Sequence, residues 1–154
     1  MGLFFSTLII SQNITVIDEF DDFKSQYLEN KTNDTIHVFN FWATWCKPCV
    51  QELPFFDSLK FYNGKSPIKL VLVSLDFENQ IKTVLEPFVE KNNITAEVVV
   101  LTDGKVNDWI DKVNPLWSGA IPATLVLKGN SSNFYEKSFH SFNELLTTIL
   151  KIDL

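Results

Sequence analysis

The chain has 154 residues, is 45% hydrophobic and 14% aromatic, and carries a formal net charge of −6. That length fits one domain with a real hydrophobic core, and the composition excludes a disordered segment. Without a basic stripe nucleic acid is excluded as a partner, and two cysteines three positions apart exclude a disulfide-framework mini-protein.

Residues Leu3 to Ile10 form an apolar run of eight, too short to span a bilayer. It resembles the apolar part of a secretory signal, with Ser11 and Gln12 as a processing region, although no Lys or Arg precedes it. A plain first strand is the other reading. Residues 1–12 are therefore set apart as a signal-like segment, and residues 13–154 as the domain. Phe20, Phe23, Tyr27 and Leu28 recur at helical spacing, which predicts an amphipathic helix over Asp18 to Glu29, followed by a polar loop from Asn30 to Asp34. Ile36 to Phe41 is β-branched and aromatic, a buried strand. A helix is predicted from about Cys46 to Tyr62, with Val50, Leu53, Phe56 and Leu59 on one face. Ile68 to Leu75 is the near-continuous apolar run of a strand covered on both faces.

Ile81, Val84, Leu85, Phe88 and Val89 form another helical stripe, with Pro87 predicting a kink or break inside it. Glu97 to Leu101 reads as a short strand and Lys105 to Val113 as a short helix. Ala123 to Leu127 is a strand, Gly129 to Asn133 a turn, and Phe134 to Phe139 its antiparallel partner. Ser141 and Glu144 form a capping box for a last helix with Phe142, Leu145, Leu146, Ile149 and Leu150 inward. Strands alternating with helices and ending ββα predict a three-layer α/β/α sandwich.

The chemistry sits in Trp45-Cys46-Lys47-Pro48-Cys49, where a buried strand runs into a helix. Helix N-termini carry unsatisfied N–H groups and the positive end of the dipole, so Cys46 is poised to be a thiolate, the nucleophilic form. Positions i and i+3 share a helix face, close enough for a disulfide. Pro48 loses little by lacking an N–H in the first turn, and Lys47 adds positive charge. A CxxC directly after a strand and without other ligands reads as a redox pair rather than a metal site. The isolated His37 and His140 read as ordinary strand or loop residues, so neither metal nor cofactor is expected.

Val38 to Glu52 (VFNFWATWCKPCVQE) resembles the active-site segment of the thioredoxin superfamily. Pro54, eight residues after Cys46, matches that family's helix-kinking proline, and Ile121-Pro122-Ala123-Thr124 resembles its cis-proline motif. Within the superfamily the chain is more similar to the TlpA/ResA-like branch. Asn40 stands where thioredoxins carry a buried acid; Glu52 lies in a Glu-Leu-Pro that resembles the branch's Glu-Phe-Pro; and about Asn79 to Leu101 matches its helix–strand insertion. The resemblance implies a thioredoxin-like sandwich with a mixed central sheet and thiol–disulfide exchange by Cys46, Cys49 and Glu52. It also implies substrate contact by Trp45, Lys47, Pro48, Ile121 and Pro122. Glu52 is a helical neighbour of Cys49 and the best acceptor for its proton, the other reading being a surface glutamate. Trp42 is expected as a structural ring beneath the site, and Trp117 either rims the groove or packs in the core.

The expected activity is reduction of protein disulfides. The expected partners are a disulfide-bearing protein and, if the chain is exported, a membrane thiol carrier that feeds it electrons. An oxidase or isomerase on the same fold, or a non-catalytic binding module, are the alternatives. A peroxiredoxin reading is disfavoured, because that family sets its cysteine in Thr-x-x-Cys with a supporting arginine and none is near Cys46. Export to a periplasmic or other extracytoplasmic space is expected, with a cytoplasmic location as the alternative.

Overall fold

A computed structural model describes residues 14–154. The signal-like segment read over residues 1–12 lies outside them. Six strands form one sheet: β1 (Ile14–Ile17), β2 (Ile36–Trp42), β3 (Ile68–Ser74), β4 (Glu97–Leu101), β5 (Ala123–Lys128) and β6 (Ser131–Tyr135), in the order β1-β4-β3-β2-β5-β6. The pairs β1–β4, β4–β3 and β3–β2 are parallel, whereas β2–β5 and β5–β6 are antiparallel. The mixed sheet expected for a thioredoxin-like sandwich is therefore present.

Helices cover both faces. One side carries α1 (Phe20–Phe23), which continues as a wide π turn over Lys24–Leu28, and α4 (Val106–Val113). The other carries α2 (Lys47–Asp57), α3 (Glu86–Lys91) and α5 (Phe142–Leu150). The side-chain alternation of a strand divides β2 between these layers. Val38 and Trp42 join the core under α2 and α5, while Phe39 and Phe41 join the aromatic core under α1 and α4. All seven residues of β2 are buried, as a central strand covered on both faces requires.

Three local readings change. Ile14–Ile17 is a strand, paired in parallel with β4 from Ile14↔Val98 to Ile17↔Leu101; four residues were too few to show a period. Pro87 falls where the winding of the helix changes, while the backbone stays helical through Leu85 and Glu86. A 3₁₀ turn (Glu78–Gln80) and a π turn (Ile81–Leu85) come before it, and α3 begins with the proline in its first turn, where no N–H is required. The final hairpin is tighter than expected. The turn is Gly129-Asn130 alone, Lys128 pairs with Ser131, and the partner strand ends at Tyr135 rather than Phe139. Gly129 has φ +54°, and a Cβ there would lie 2.5 Å from Asn33 Oδ1. Glycine thus permits the two-residue turn, and the polar Ser131-Ser132-Asn133 hid an edge strand from its composition.

Candidate active site

The backbone leaves β2 at Trp42, crosses Ala43 to Trp45, and enters α2 with Cys46 as its N-cap in an extended conformation (φ −93°, ψ 99°). Cys46 N–H donates to Ala43 O at 3.1 Å, and the Cys46 carbonyl accepts the first helical bond from Val50 N–H at 3.0 Å. Pro48 occupies the first turn. Cys46 and Cys49 form a disulfide with their Cα atoms 5.3 Å apart. Only the edge of Cys46 meets solvent, at 6% exposure, and Cys49 is fully enclosed. A reagent therefore reaches one sulfur and not the other.

The approach loop is anchored from β3. Buried Asp76 accepts from Thr44 N–H at 3.1 Å, from the Thr44 hydroxyl and from the Ser74 hydroxyl at 2.7 Å. Leu75 N–H donates to Trp42 O at 2.8 Å. Nothing in the motif pointed to this clamp; the available signal was an acid placed at the carboxyl end of a buried parallel strand.

Glu52 is 1% exposed, on the same buried face of α2 as Cys49 and one turn further along, so it is not the surface glutamate of the other reading. Its carboxylate accepts from Asn40 Nδ2 at 3.1 Å and from Phe139 N–H at 2.7 Å. Asn40 Nδ2 also donates to Thr124 Oγ1 at 3.3 Å, across the β2–β5 pair. Burial pushes the Glu52 carboxyl up to about 7, against the opposing pull of those two hydrogen bonds. Glu144 on α5 adds to the rise, and Lys137, ion-paired to Glu144, opposes it. Two buried side-chain polar atoms find no protein partner among the described residues: Asn40 Oδ1 and Trp42 Nε1, both on β2 and on the α2 side. Trp42 shares its core layer with Cys46 and Cys49.

The Ile121–Pro122 peptide is cis, and the Ile121 carbonyl oxygen lies 3.7 Å from Cys46 Sγ. Cys46, Cys49, Glu52, Ile121 and Pro122 thus meet at one end of the sheet. Trp45, Lys47 and Pro48 are exposed around Cys46. Trp117 belongs to the core and not to the rim: it packs on Phe41, Trp109 and Phe134, and its indole N–H donates to Ala120 O at 2.8 Å. Trp42 is buried against Phe88, the structural ring expected. The hydrogen-bonding role of Thr124, named before only as part of the cis-proline motif, and the Phe139 N–H escaped the sequence reading. The first follows Pro122 by two positions; the second is a backbone group that no side-chain pattern reveals.

Residues 14–131 match the AhpC/TSA family. Sporulation thiol-disulfide oxidoreductase A of Bacillus subtilis is 35% identical over 79 residues, 51% of this chain and 47% of that protein. Thiol-disulfide oxidoreductase ResA of Oceanobacillus iheyensis is 32% identical over 93 residues, 60% of this chain and 44% of that protein. The chain therefore spans less than half the length of these curated relatives, whose names agree with the ResA-like resemblance of the motif. A thioredoxin-related protein from Neisseria meningitidis serogroup B superposes with TM-score 0.66 over 82% of this chain and 90% of its own, at 17% identity, which shows the shared fold.

Proposed function

The chain belongs to the AhpC/TSA family, and from that premise we propose that it reduces disulfides in other proteins by thiol–disulfide exchange through Cys46 and Cys49. The observation that carries the proposal is the unequal exposure of one disulfide at a helix N-terminus: Cys46 is reachable, and enclosed Cys49 lies one turn from a carboxyl poised near neutrality.

In the reduced chain the Cys46 thiolate attacks one sulfur of a substrate disulfide. A mixed disulfide forms and the other substrate sulfur leaves as a thiolate. The Cys49 thiol gives its proton to Glu52 and attacks Cys46 Sγ. The internal disulfide closes and the second substrate thiolate leaves, taking up a proton. Substrate gains two electrons and the cysteine pair loses them. A dithiol carrier in the membrane then returns two electrons by the same exchange in reverse. Asn40 and the Phe139 N–H hold the ionised Glu52, and its position near pH 7 lets it accept and release the proton. Lys47 and the α2 dipole favour the Cys46 thiolate. Trp45, Pro48, Ile121 and Pro122 form the substrate contact, with the Ile121 backbone available to pair with an extended segment.

Against a peroxiredoxin reading, the chain contains no arginine and carries Ala43 three residues before Cys46, so the Thr-x-x-Cys and arginine arrangement is missing. Disulfide exchange is the reading these residues support. The apolar run from Leu3 to Ile10 supports an extracytoplasmic location. No helix among the described residues is long and apolar enough to cross a membrane.

Reduced Cys49→Ser mixed with a disulfide-bearing protein should accumulate a covalent adduct through Cys46, seen by mass spectrometry without reductant. Cys46→Ser should form none. Equal adducts from both variants, or none from either, would refute the mechanism.

A further inference from the structure

Trp42, Trp109 and Trp117 are buried, whereas Trp45 is 57% exposed beside Cys46. Its ring stacks on Phe77, itself 61% exposed, with centroids 6.4 Å apart and planes 20° from parallel. The two rings come from different parts of the chain, the approach to α2 and the turn after β3. Their backbones are locked together independently of the rings. Thr44, the residue before Trp45, and Asp76, the residue before Phe77, are joined by the Asp76 carboxylate's bonds to the Thr44 N–H and hydroxyl. Ser74 holds that carboxylate from the other side, and Leu75 N–H ties the same turn to Trp42 O. Two large apolar rings are thus presented to water from an anchored backbone at the lip of the site. Side chains of this kind contribute strongly to recognition, because they offer area at little further entropy cost.

We propose that Trp45 and Phe77 form an aromatic platform that selects protein disulfides flanked by a large apolar side chain, with Phe77 as a specificity-determining residue. The inference rests on the exchange activity proposed above. The occupant follows from the geometry of attack. Only the edge of Cys46 is open and Trp45 adjoins it, so a substrate sulfur in line with Cys46 Sγ brings its neighbouring residues onto the exposed rings. A leucine or phenylalanine next to the substrate cystine removes the ring faces from water; a serine there leaves them wet. A face of this size needs no second folded domain, and a substrate segment of a few residues covers it.

The test compares two disulfide-bridged peptides that differ only in the residue beside the reacting cysteine, leucine or serine. Second-order rate constants are measured with the reduced full chain, its Phe77→Ser variant and its Phe77→Tyr variant. The unaltered chain should prefer the leucine peptide by about tenfold, the scale of discrimination for one apolar side chain. Phe77→Ser should bring that ratio to about two, and Phe77→Tyr should keep it, since the ring remains. A ratio near one in the unaltered chain, or an equal preference in Phe77→Ser, overturns the platform while leaving the exchange reading intact. No reaction with either peptide overturns the exchange reading, and the platform with it.

Discussion

The two faces of one sheet are built from the same kind of strand and put to different uses. Under α1 and α4 a connected cluster of rings sits among aliphatic side chains: Phe20 stacks on Trp109, Phe23 meets Phe39 and Phe41 edge-on, and Trp117 closes against Phe41 and Phe134. Both unpartnered buried side-chain atoms found among the described residues lie on the other face, with Asn40, Glu52, Thr124 and the disulfide. Burying a polar group costs free energy, so a fold that accepts the cost on one face must gain stability elsewhere. Apolar burial on both faces supplies that stability, and the α2 face holds the chemistry as well.

Substitutions that separate stability from turnover would break this contrast if they failed to do so. The largest effect falls on Cys46→Ser, which removes the nucleophile. Turnover of a protein disulfide should drop to background while the thermal unfolding midpoint, measured against the reduced parent chain, stays close. Trp109→Ala acts on the opposite face and should cost about 3–5 kcal/mol in denaturant unfolding, the range for truncating a buried ring. Exchange rates of the fraction still folded should be little changed. If Trp109→Ala alters the reactivity of Cys46 directly, the two faces are not separable.

Glu52→Gln lies between stability and chemistry, and sharpens the contrast. Resolution of the mixed disulfide should slow by about a hundredfold near pH 7, the lower end for a lost proton-transfer group, with the pH profile near 7 flattened. Its stability effect runs the other way. Burial raises the Glu52 carboxyl in the folded chain from the ordinary value of 4.5 to about 7, so between those values the folded state holds a proton that the unfolded chain has released. Stability therefore falls as pH rises through that window, by up to about 3 kcal/mol. Glu52→Gln removes that slope, so unfolding curves at pH 4.5 and pH 8 should show the variant gaining on the parent at the higher pH. The smallest effect is at Lys112→Ala. It removes an exposed ion pair to Asp21 (3.0 Å) over the aromatic face and should change stability by less than about 1 kcal/mol.

The parts of the molecule with a strong period or a dense motif were legible before any coordinates. β4 has its expected bounds, and β2 and β3 differ from theirs by one residue each, because continuous β-branched runs leave no competing structure. Cys46 and Cys49 followed from a short, specific residue string, whereas Pro122 could have been an ordinary proline at a strand start until the structure gave its cis bond. The rest depended on relations that a linear string does not carry. The burial of Glu52 depends on which face of α2 meets the sheet. Its second hydrogen bond comes from a backbone group 87 residues away. The capping box was readable, with Glu144 N–H donating to Ser141 Oγ at 3.1 Å, yet the Glu144 carboxylate accepts from His140 N–H rather than from the cap residue's own N–H. Phe77 gave no signal, because a lone phenylalanine after a strand reads as core until a structure shows it stacked on Trp45 in solvent.

The equilibrium reduction potential of the Cys46–Cys49 pair, titrated against a thiol buffer of known poise, tests the central claim most directly. A reductase should show one two-electron transition toward the thioredoxin end of the known range, about −270 mV. A value near −120 mV would reverse the direction, making the chain a donor of its disulfide. A pair still oxidised below about −300 mV behaves as a structural bridge, and would contradict the claim that these two cysteines exchange with protein disulfides.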